Sequence, residues 1–355
     1  MEEKVLMKGN EALARAAIES GCRFFFGYPI TPQTEVAAYM AKQMPKIGGT
    51  FLQAESEVAA INMVYGASGA GARVMTSSSS PGISLKSEGI SYIAGSDLPC
   101  VICNIVRGGP GLGGIQPAQS DYFQATKGGG HGDYHLIVLA PSSVQEMVDL
   151  VKEAFDLADY YRMPVMIMGD GMLGQMMEPV VFGNYKCTKK LPEKTWATTG
   201  TKMERKRNII NSLYITPEEL EKLVIERYKK YDTIAENEAR AEEYLCGDAD
   251  IIIAAYGTIA RVAKSAIKKA REKGMKVGLI RPITLWPFDK RPFEKYRDKV
   301  SSFLTVEMSM GQMVEDVRLA VEGKAPVEFF GRTGGMIPSP EEILDKLTNM
   351  TGGVR

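Results

Sequence analysis

An α/β fold with parallel sheets is predicted by three features of the sequence. Short β-forming runs alternate with segments of helical period along most of the chain, the pattern of strand–helix–strand units. CRFFF, RVMT, PCVICNIV, LIVLA and PVMIM are such runs in the first half, and DIIIAA, KVGLI, FLTVE and VEFF in the second. Several of them end in Gly/Pro-rich turns before a helix (GYPITP, SSSSPG, RGGPG, GDG), and open α/β sheets bind ligands at the carboxyl ends of their strands. Between the two series lies a charged stretch poor in apolar runs, so the 355 residues divide into about two domains. The expected boundaries are 1–185, a connecting arm 186–249, and 250–345.

Lys+Arg and Asp+Glu are equal at 43 each, so no global field points to nucleic acid or to a membrane surface. The N-terminus MEEKVLMKGN carries acids and no long apolar run, unlike a signal peptide. No stretch approaches the ~20 apolar residues of a spanning helix. Five scattered cysteines, Cys22, Cys100, Cys103, Cys187 and Cys246, fit a reducing cytosol rather than a disulfide framework. The CxxC of Cys100 and Cys103 sits in a buried-strand context, and spacing for an iron–sulfur cluster is absent.

Taken in order, Asn10 is placed to cap a helix over 11–20, with Gly21 after it. CRFFF then leads into the turn 27–32, where two prolines fix φ on either side of Thr31 and hold its hydroxyl in one place. A helix is expected over about 33–43. The next unit, FLQAESEVAAINMVYGASGAG, passes from β-formers through Glu55 and Glu57 into a helix. Ala60, Met63, Val64 and Ala67 mark its buried face. Its glycines, Gly66, Gly69 and Gly71, make it slim; each helical glycine costs roughly 1 kcal/mol against alanine, which close approach of another backbone would offset. Glu57 falls in the first turn, where a helix N-terminus can favour its carboxylate or burial can keep it protonated. An ordinary glutamate satisfying first-turn donors fits the same position.

A short strand at 73–76 opens on a hydroxyl-rich loop 77–82, followed by a helix over about 83–94; the spacing of a Walker phosphate loop is missing. The strand 99–106 ends at Arg107 in a run of glycines, which leaves room for a carboxylate against the guanidinium; a solvated loop arginine is the plain alternative. His131 and His135 are the only histidines and lack metal-ligand spacing. His131 is read as a loop residue near the site without assigned chemistry, and His135 as structural. Asp170, in the GDG turn, resembles the start of the Mg–diphosphate motif of thiamine enzymes. That motif needs an Asn downstream as a metal ligand, and the stretch 197–200 at that distance has none, so a strand-end turn is expected and no metal site. From Asn184 the composition changes. Thr216, Pro217 and Glu219 form a capping signature, and Leu220, Leu223, Val224, Tyr228 and Tyr231 mark one face of a long exposed helix. The second series of strands and helices starts at Asp250.

Tyr28-Pro29-Ile30-Thr31-Pro32, Glu55-Ser56-Glu57-Val58-Ala59-Ala60, TSSSSPGISL and Arg107-Gly108-Gly109-Pro110, in that order and at those intervals, resemble the α subunit of 2-oxoacid:ferredoxin oxidoreductases. The likeness covers nearly the whole chain. QAESEVAAINMVYG and KGGGHGDYHLIVLAPSSVQEMVDL bring it near the branched-chain (3-methyl-2-oxobutanoate, or 2-ketoisovalerate) type. The resemblance implies a thiamine-enzyme pyrimidine-binding domain followed by a transketolase C-terminal-like domain. It implies that Glu57, rather than Glu55, hydrogen-bonds N1′ of the thiamine aminopyrimidine. By the same resemblance Thr31 and Arg107 contact the oxoacid, and Pro29, Ile30, Ser79, Pro81 and Gly82 lie against the cofactor with Glu57. Thiamine diphosphate would be shared with a β subunit carrying its diphosphate and Mg²⁺, and iron–sulfur clusters would sit on partners. A small γ subunit, a ferredoxin-like δ subunit, coenzyme A and ferredoxin complete the implied set, in the cytoplasm, with no nucleic acid or membrane. The implied reaction is oxidative decarboxylation of a 2-oxoacid to acyl-CoA and CO₂. Rival readings are a 2-oxoglutarate-specific α subunit, a self-contained thiamine enzyme, which the missing Asn opposes, and a non-catalytic assembly subunit, which Thr31, Glu57 and Arg107 together oppose.

Overall fold

The computed structural model describes residues 4–183 and 185–352, and two parallel-rich sheets with helices on their faces carry the fold. The first sheet runs in the order Thr50–Gln53, Phe24–Gly27, Val74–Ser78, Cys100–Val106, Pro164–Asp170, Ile137–Leu139, all parallel. Its seventh strand, Thr284–Trp286, comes from the second half of the chain and pairs antiparallel with Ile137–Leu139 at the far edge. The second sheet has the order Val327–Gly331, Ser302–Glu307, Ile251–Ala254, Val277–Pro282, Ala241–Tyr244, with only the last strand antiparallel. Val5–Lys8 and Met177–Val180 form a separate antiparallel pair.

Strands covered by helices on both faces read as near-continuous apolar runs; Cys100–Val106 and Pro164–Asp170 are buried at every residue. Cys100 and Cys103 belong to this packing, and burial pushes the Cys100 thiol up to about 12 and the Cys103 thiol higher still. His135 is likewise a packing residue, stacked on Trp286 at 4.4 Å between centroids with Tyr231 against its edge.

Several local expectations give way to longer-range contacts. Asn10 lies inside the helix Gly9–Glu19, fully buried, and its Nδ2 donates to Pro32 O (2.8 Å) and Glu35 Oε2 (2.9 Å), so it ties this helix to the turn after Gly27 instead of capping. The hydroxyl-rich loop 77–82 is almost absent: the strand runs to Ser78 and the helix Ser80–Gly95 begins after a single residue. Gly66 meets nothing within 4 Å, whereas Gly89 of that neighbouring helix would clash with Ile61 at 2.5 Å if it carried a Cβ. The close approach is therefore made by the partner helix. The helix Pro217–Glu238 forms without a side-chain cap from Thr216, and its buried stripe is Arg227, Tyr231, Ile234 and Glu238, with Leu220 and Tyr228 exposed. Asn184, where the composition changes, lies outside the described residues. Among the described residues no helix is long and apolar enough to cross a membrane.

The two sheets are bolted together by polar contacts between distant parts of the chain. Gln119 Nε2 donates to Tyr256 O (3.0 Å) and its Oε1 accepts the Met308 N–H (3.0 Å), while its backbone N–H donates to Met308 O (2.9 Å). Arg281 forks onto Glu146 at 3.0 and 2.9 Å. Asp170 belongs to the same joint. Its Oδ1 accepts the N–H groups of Met172 (2.9 Å) and Leu173 (3.0 Å), capping the helix Gly171–Gln175, and its Oδ2 accepts the Thr258 hydroxyl.

Asp170→Ala would strand these donors and should cost about 2 kcal/mol or more in urea unfolding. Burial raises the Asp170 carboxyl from 3.8 to about 6, against those hydrogen bonds. A raised folded pKa means that stability from this group is full below the unfolded value and is lost as pH rises through the folded one. The stability of the wild type relative to Asp170→Asn should therefore fall between about pH 4 and about pH 7, read as urea midpoints of both proteins.

Candidate active site

The strand Phe24–Gly27 has Thr50–Gln53 on one side and Val74–Ser78 on the other, so the connections leaving it diverge and open a crevice beyond the strand ends. The turn after Gly27, the helix Glu57–Gly69, the helix Ser80–Gly95 and the loop after Val106 all start from four neighbouring strands and meet there. They enclose a cavity of about 470 Å³ lined by Tyr28, Pro29, Ile30, Thr31, Thr34, Glu57, Pro81, Gly82, Leu85, Arg107 and Leu112.

Glu57 is the first residue of its helix. Ser56 caps it by accepting the Ala59 N–H at 3.2 Å, which leaves the Glu57 side chain free of capping duty. The side chain is 6% exposed and its carboxylate takes no hydrogen bond from the described residues. Gly82 lets this carboxylate sit against the next helix: a Cβ there would lie 2.7 Å from Glu57 Oε1 and 2.0 Å from Ser78 Oγ. Glu55 points elsewhere, exposed and outside the cavity wall.

Arg107 is 7% exposed and its surrounding glycines do not leave it free. Backbone carbonyls take the place of competing side chains: Nη1 donates to Thr31 O and Nη2 to Leu112 O, each at 2.9 Å. Its main chain is clasped by the Ser80 hydroxyl. Nε is buried without a partner. Ser79 is fully buried behind the wall instead of lining it, and the Ser78 and Ser79 hydroxyls are also unpartnered.

The structure adds residues that the sequence did not single out. Lys86 is completely buried: Nζ donates to Thr76 Oγ1 (2.7 Å) and Ser77 O (3.1 Å). Its spacing of one helical turn from Gly82 was the available signal. Gln33 accepts the Ser77 hydroxyl at 2.5 Å. A second cavity of about 790 Å³ shares Pro81 and Leu85 with the first, and Met310, Gln312 and Thr333 bring the second domain to its wall. His131 is exposed and lines a different cavity beside Tyr92.

Comparison with known proteins accords with this geometry. The family model described as "Pyruvate flavodoxin/ferredoxin oxidoreductase, thiamine diP-bdg" matches residues 15–244, and "Pyruvate:ferredoxin oxidoreductase core domain II" matches residues 249–343. The chain is 50% identical over 347 residues to the ketoisovalerate oxidoreductase subunit VorB of Methanothermobacter thermautotrophicus, covering 98% of each. It is 38% identical over 377 residues to the 2-oxoglutarate synthase subunit KorA of the same organism, covering 99% of this chain and 100% of that one. Among solved structures, the 2-oxoglutarate:ferredoxin oxidoreductase from Magnetococcus marinus with 2-oxoglutarate, coenzyme A and succinyl-CoA bound matches with a TM-score of 0.89 at 28% identity, over 98% of this chain and 65% of that chain.

Gly82→Ala should fold but push the Glu57 carboxylate or the Ser78 hydroxyl out of place. Overpacking of this kind costs about 1–3 kcal/mol. Urea unfolding reads that loss, and Gly95→Ala, with only Ser212 Cβ nearby at 3.5 Å, serves as the mild control.

Proposed function

The chain belongs to the 2-oxoacid:ferredoxin oxidoreductase family, as a subunit that works with partner subunits, and we propose that it supplies the activating glutamate and the oxoacid site of a branched-chain member. The observation that carries this reading is one cavity holding Glu57, Thr31 and Arg107 between apolar walls. The residues fit thiamine diphosphate: Gly82 admits the Glu57 carboxylate, which a Cβ would meet at 2.7 Å, and that carboxylate lines the cavity without a hydrogen-bond partner among the described residues. When bound, that cofactor supplies the carbon nucleophile for the 2-oxo group and accepts the electron pair released with CO₂.

Glu57 holds or releases the proton at N1′ of the aminopyrimidine, and its burial keeps water from competing for that bond. Pro29, Ile30 and Pro81 shape the wall for the ring. Arg107 keeps N–H donors beyond the two committed to carbonyls, and a planar guanidinium can present a pair of them to the oxoacid carboxylate. Thr31 offers a hydroxyl beside it. Ile30, Leu85 and Leu112 give an apolar wall suited to an aliphatic side chain, while Lys86 is shut beneath the floor and committed to Thr76 and Ser77. A second carboxylate would find no free cation in this lining, which supports branched aliphatic 2-oxoacids over 2-oxoglutarate. The name of the VorB relative agrees with that preference. The 2-oxoglutarate in the Magnetococcus marinus structure favours the other substrate, at lower identity. The diphosphate and its Mg²⁺ fall to a β subunit, the iron–sulfur clusters to a δ subunit beside a small γ subunit, and the setting is cytoplasmic. Domain limits near 185 and 250 complete the reading.

In the assembled complex, Glu57→Gln should lower kcat by about 10²–10⁴-fold while Glu55→Gln stays near wild type; equal losses would mean that the wrong glutamate is assigned. Losing a charge-assisted hydrogen bond costs roughly 1.5–3 kcal/mol, so Arg107→Ala should reduce kcat/KM for a branched 2-oxoacid by about 10- to 100-fold. Arg107→Lys should recover only part of it. A wild-type kcat/KM that is higher for 2-oxoglutarate than for the branched acid would refute the substrate assignment.

A further inference from the structure

Lys86 takes no part in the chemistry above, yet it is the only buried lysine among the described residues. Lysine is almost never fully buried unless paired, and a straight apolar residue would fill this space without the penalty of desolvating an ammonium. Its hydrogen bonds go to a neutral hydroxyl and a neutral carbonyl, and no carboxylate lies within ion-pair distance of it among the described residues. The position in the fold explains what the charge faces. Lys86 stands one turn along the helix from Gly82, the residue against which the Glu57 carboxylate packs. Of the elements around it, the helix Glu57–Gly69 contributes Glu57 and the strand Cys100–Val106 contributes Cys103, whose thiol burial keeps protonated. Gln33, which reaches the neighbouring Ser77 hydroxyl, is neutral. Arg107 lines the same cavity as Glu57, with two of its donors tied to carbonyls. Burial presses the Lys86 ammonium down to about 7, and Glu57 is the first group that pulls it back up.

We propose that Lys86 is a positioning residue for a proton: from beneath the cavity floor it stabilises the Glu57 carboxylate and so lowers the pH at which the Glu57–aminopyrimidine pair gives up its shared proton. The inference rests on the assignment of Glu57 made above. With its proton that pair is neutral, and without it the pair carries one negative charge. A cation behind Glu57 favours the second state. The ammonium acts at a distance, through a low-dielectric interior, and touches neither the cofactor nor the substrate.

The test uses the assembled complex loaded with thiamine diphosphate in the absence of oxoacid, titrated with pH while the near-ultraviolet circular dichroism of the bound aminopyrimidine is followed. Lys86→Met keeps the length of the side chain and needs no hydrogen-bond partner, and Lys86→Gln keeps polarity without charge. Both should raise the midpoint, by about one pH unit, and by similar amounts because charge alone is responsible. An unchanged midpoint in both assembled variants overturns the proposal. So does failure of both to assemble, which would make Lys86 a packing residue. Glu57→Gln separates the two layers of the argument, because it should abolish the transition altogether. A wild-type transition in Glu57→Gln would sink the assignment of Glu57, whereas an abolished transition with unmoved Lys86 variants would sink only the role of Lys86.

Discussion

The two hydrogen bonds from Arg107 to the carbonyl oxygens of Thr31 and Leu112 hold together a site that has few other means of keeping its shape. The loop that follows Arg107 is rich in glycine, so side-chain packing cannot fix it, and the turn through Thr31 is pinned from behind by Asn10 through Pro32 O. A guanidinium buried to this degree can remain charged because its donors find backbone acceptors. The same bonds orient its plane and decide which N–H groups stay open to a ligand. One side chain thus holds the site's shape and, in the role proposed for it, recognises the substrate.

The ionic balance of the cavity follows from that arrangement. The cavity lining holds one basic side chain, Arg107, and one acidic one, Glu57, and the buried Lys86 behind it adds a second basic group whose ammonium burial presses down to about 7. Whenever Lys86 is protonated and Glu57 ionised, the charges around the site sum to one positive. Under the proposed assignment, a 2-oxoacid bound here would bring one negative charge and complete a neutral set in a place where an uncompensated ion would be costly.

The strand and helix succession was legible because each element announces itself locally, by period and by the Gly/Pro turns after strands. Glu57 was set apart from Glu55 by the family resemblance alone; in the structure Glu57 opens the helix, buried, while Glu55 precedes the cap and is exposed. What escaped was set by non-local partners. Asn10 has the residue type of a cap, but its amide is claimed by Pro32 and Glu35, more than twenty residues away. The carbonyls that restrain Arg107 are backbone atoms, which residue identity does not reveal. Lys86 has the residue type of a surface position, and its burial follows from its place one turn from Gly82 on the inward face of the helix. Asp170 was legible as a turn residue, but its Thr258 partner comes from the helix Gly257–Glu272, far along the chain.

Thr284–Trp286 makes the first sheet dependent on sequence that is synthesised late. Until residue 286 has left the ribosome, the edge Ile137–Leu139 has no neighbour on its outer side, although its three residues are fully buried in the finished protein. An apolar strand with open hydrogen-bonding groups is a template for pairing with other chains. The nascent N-terminal half therefore carries an unpaired apolar edge while the arm and much of the second domain are made, and a cut at the arm would leave that edge open.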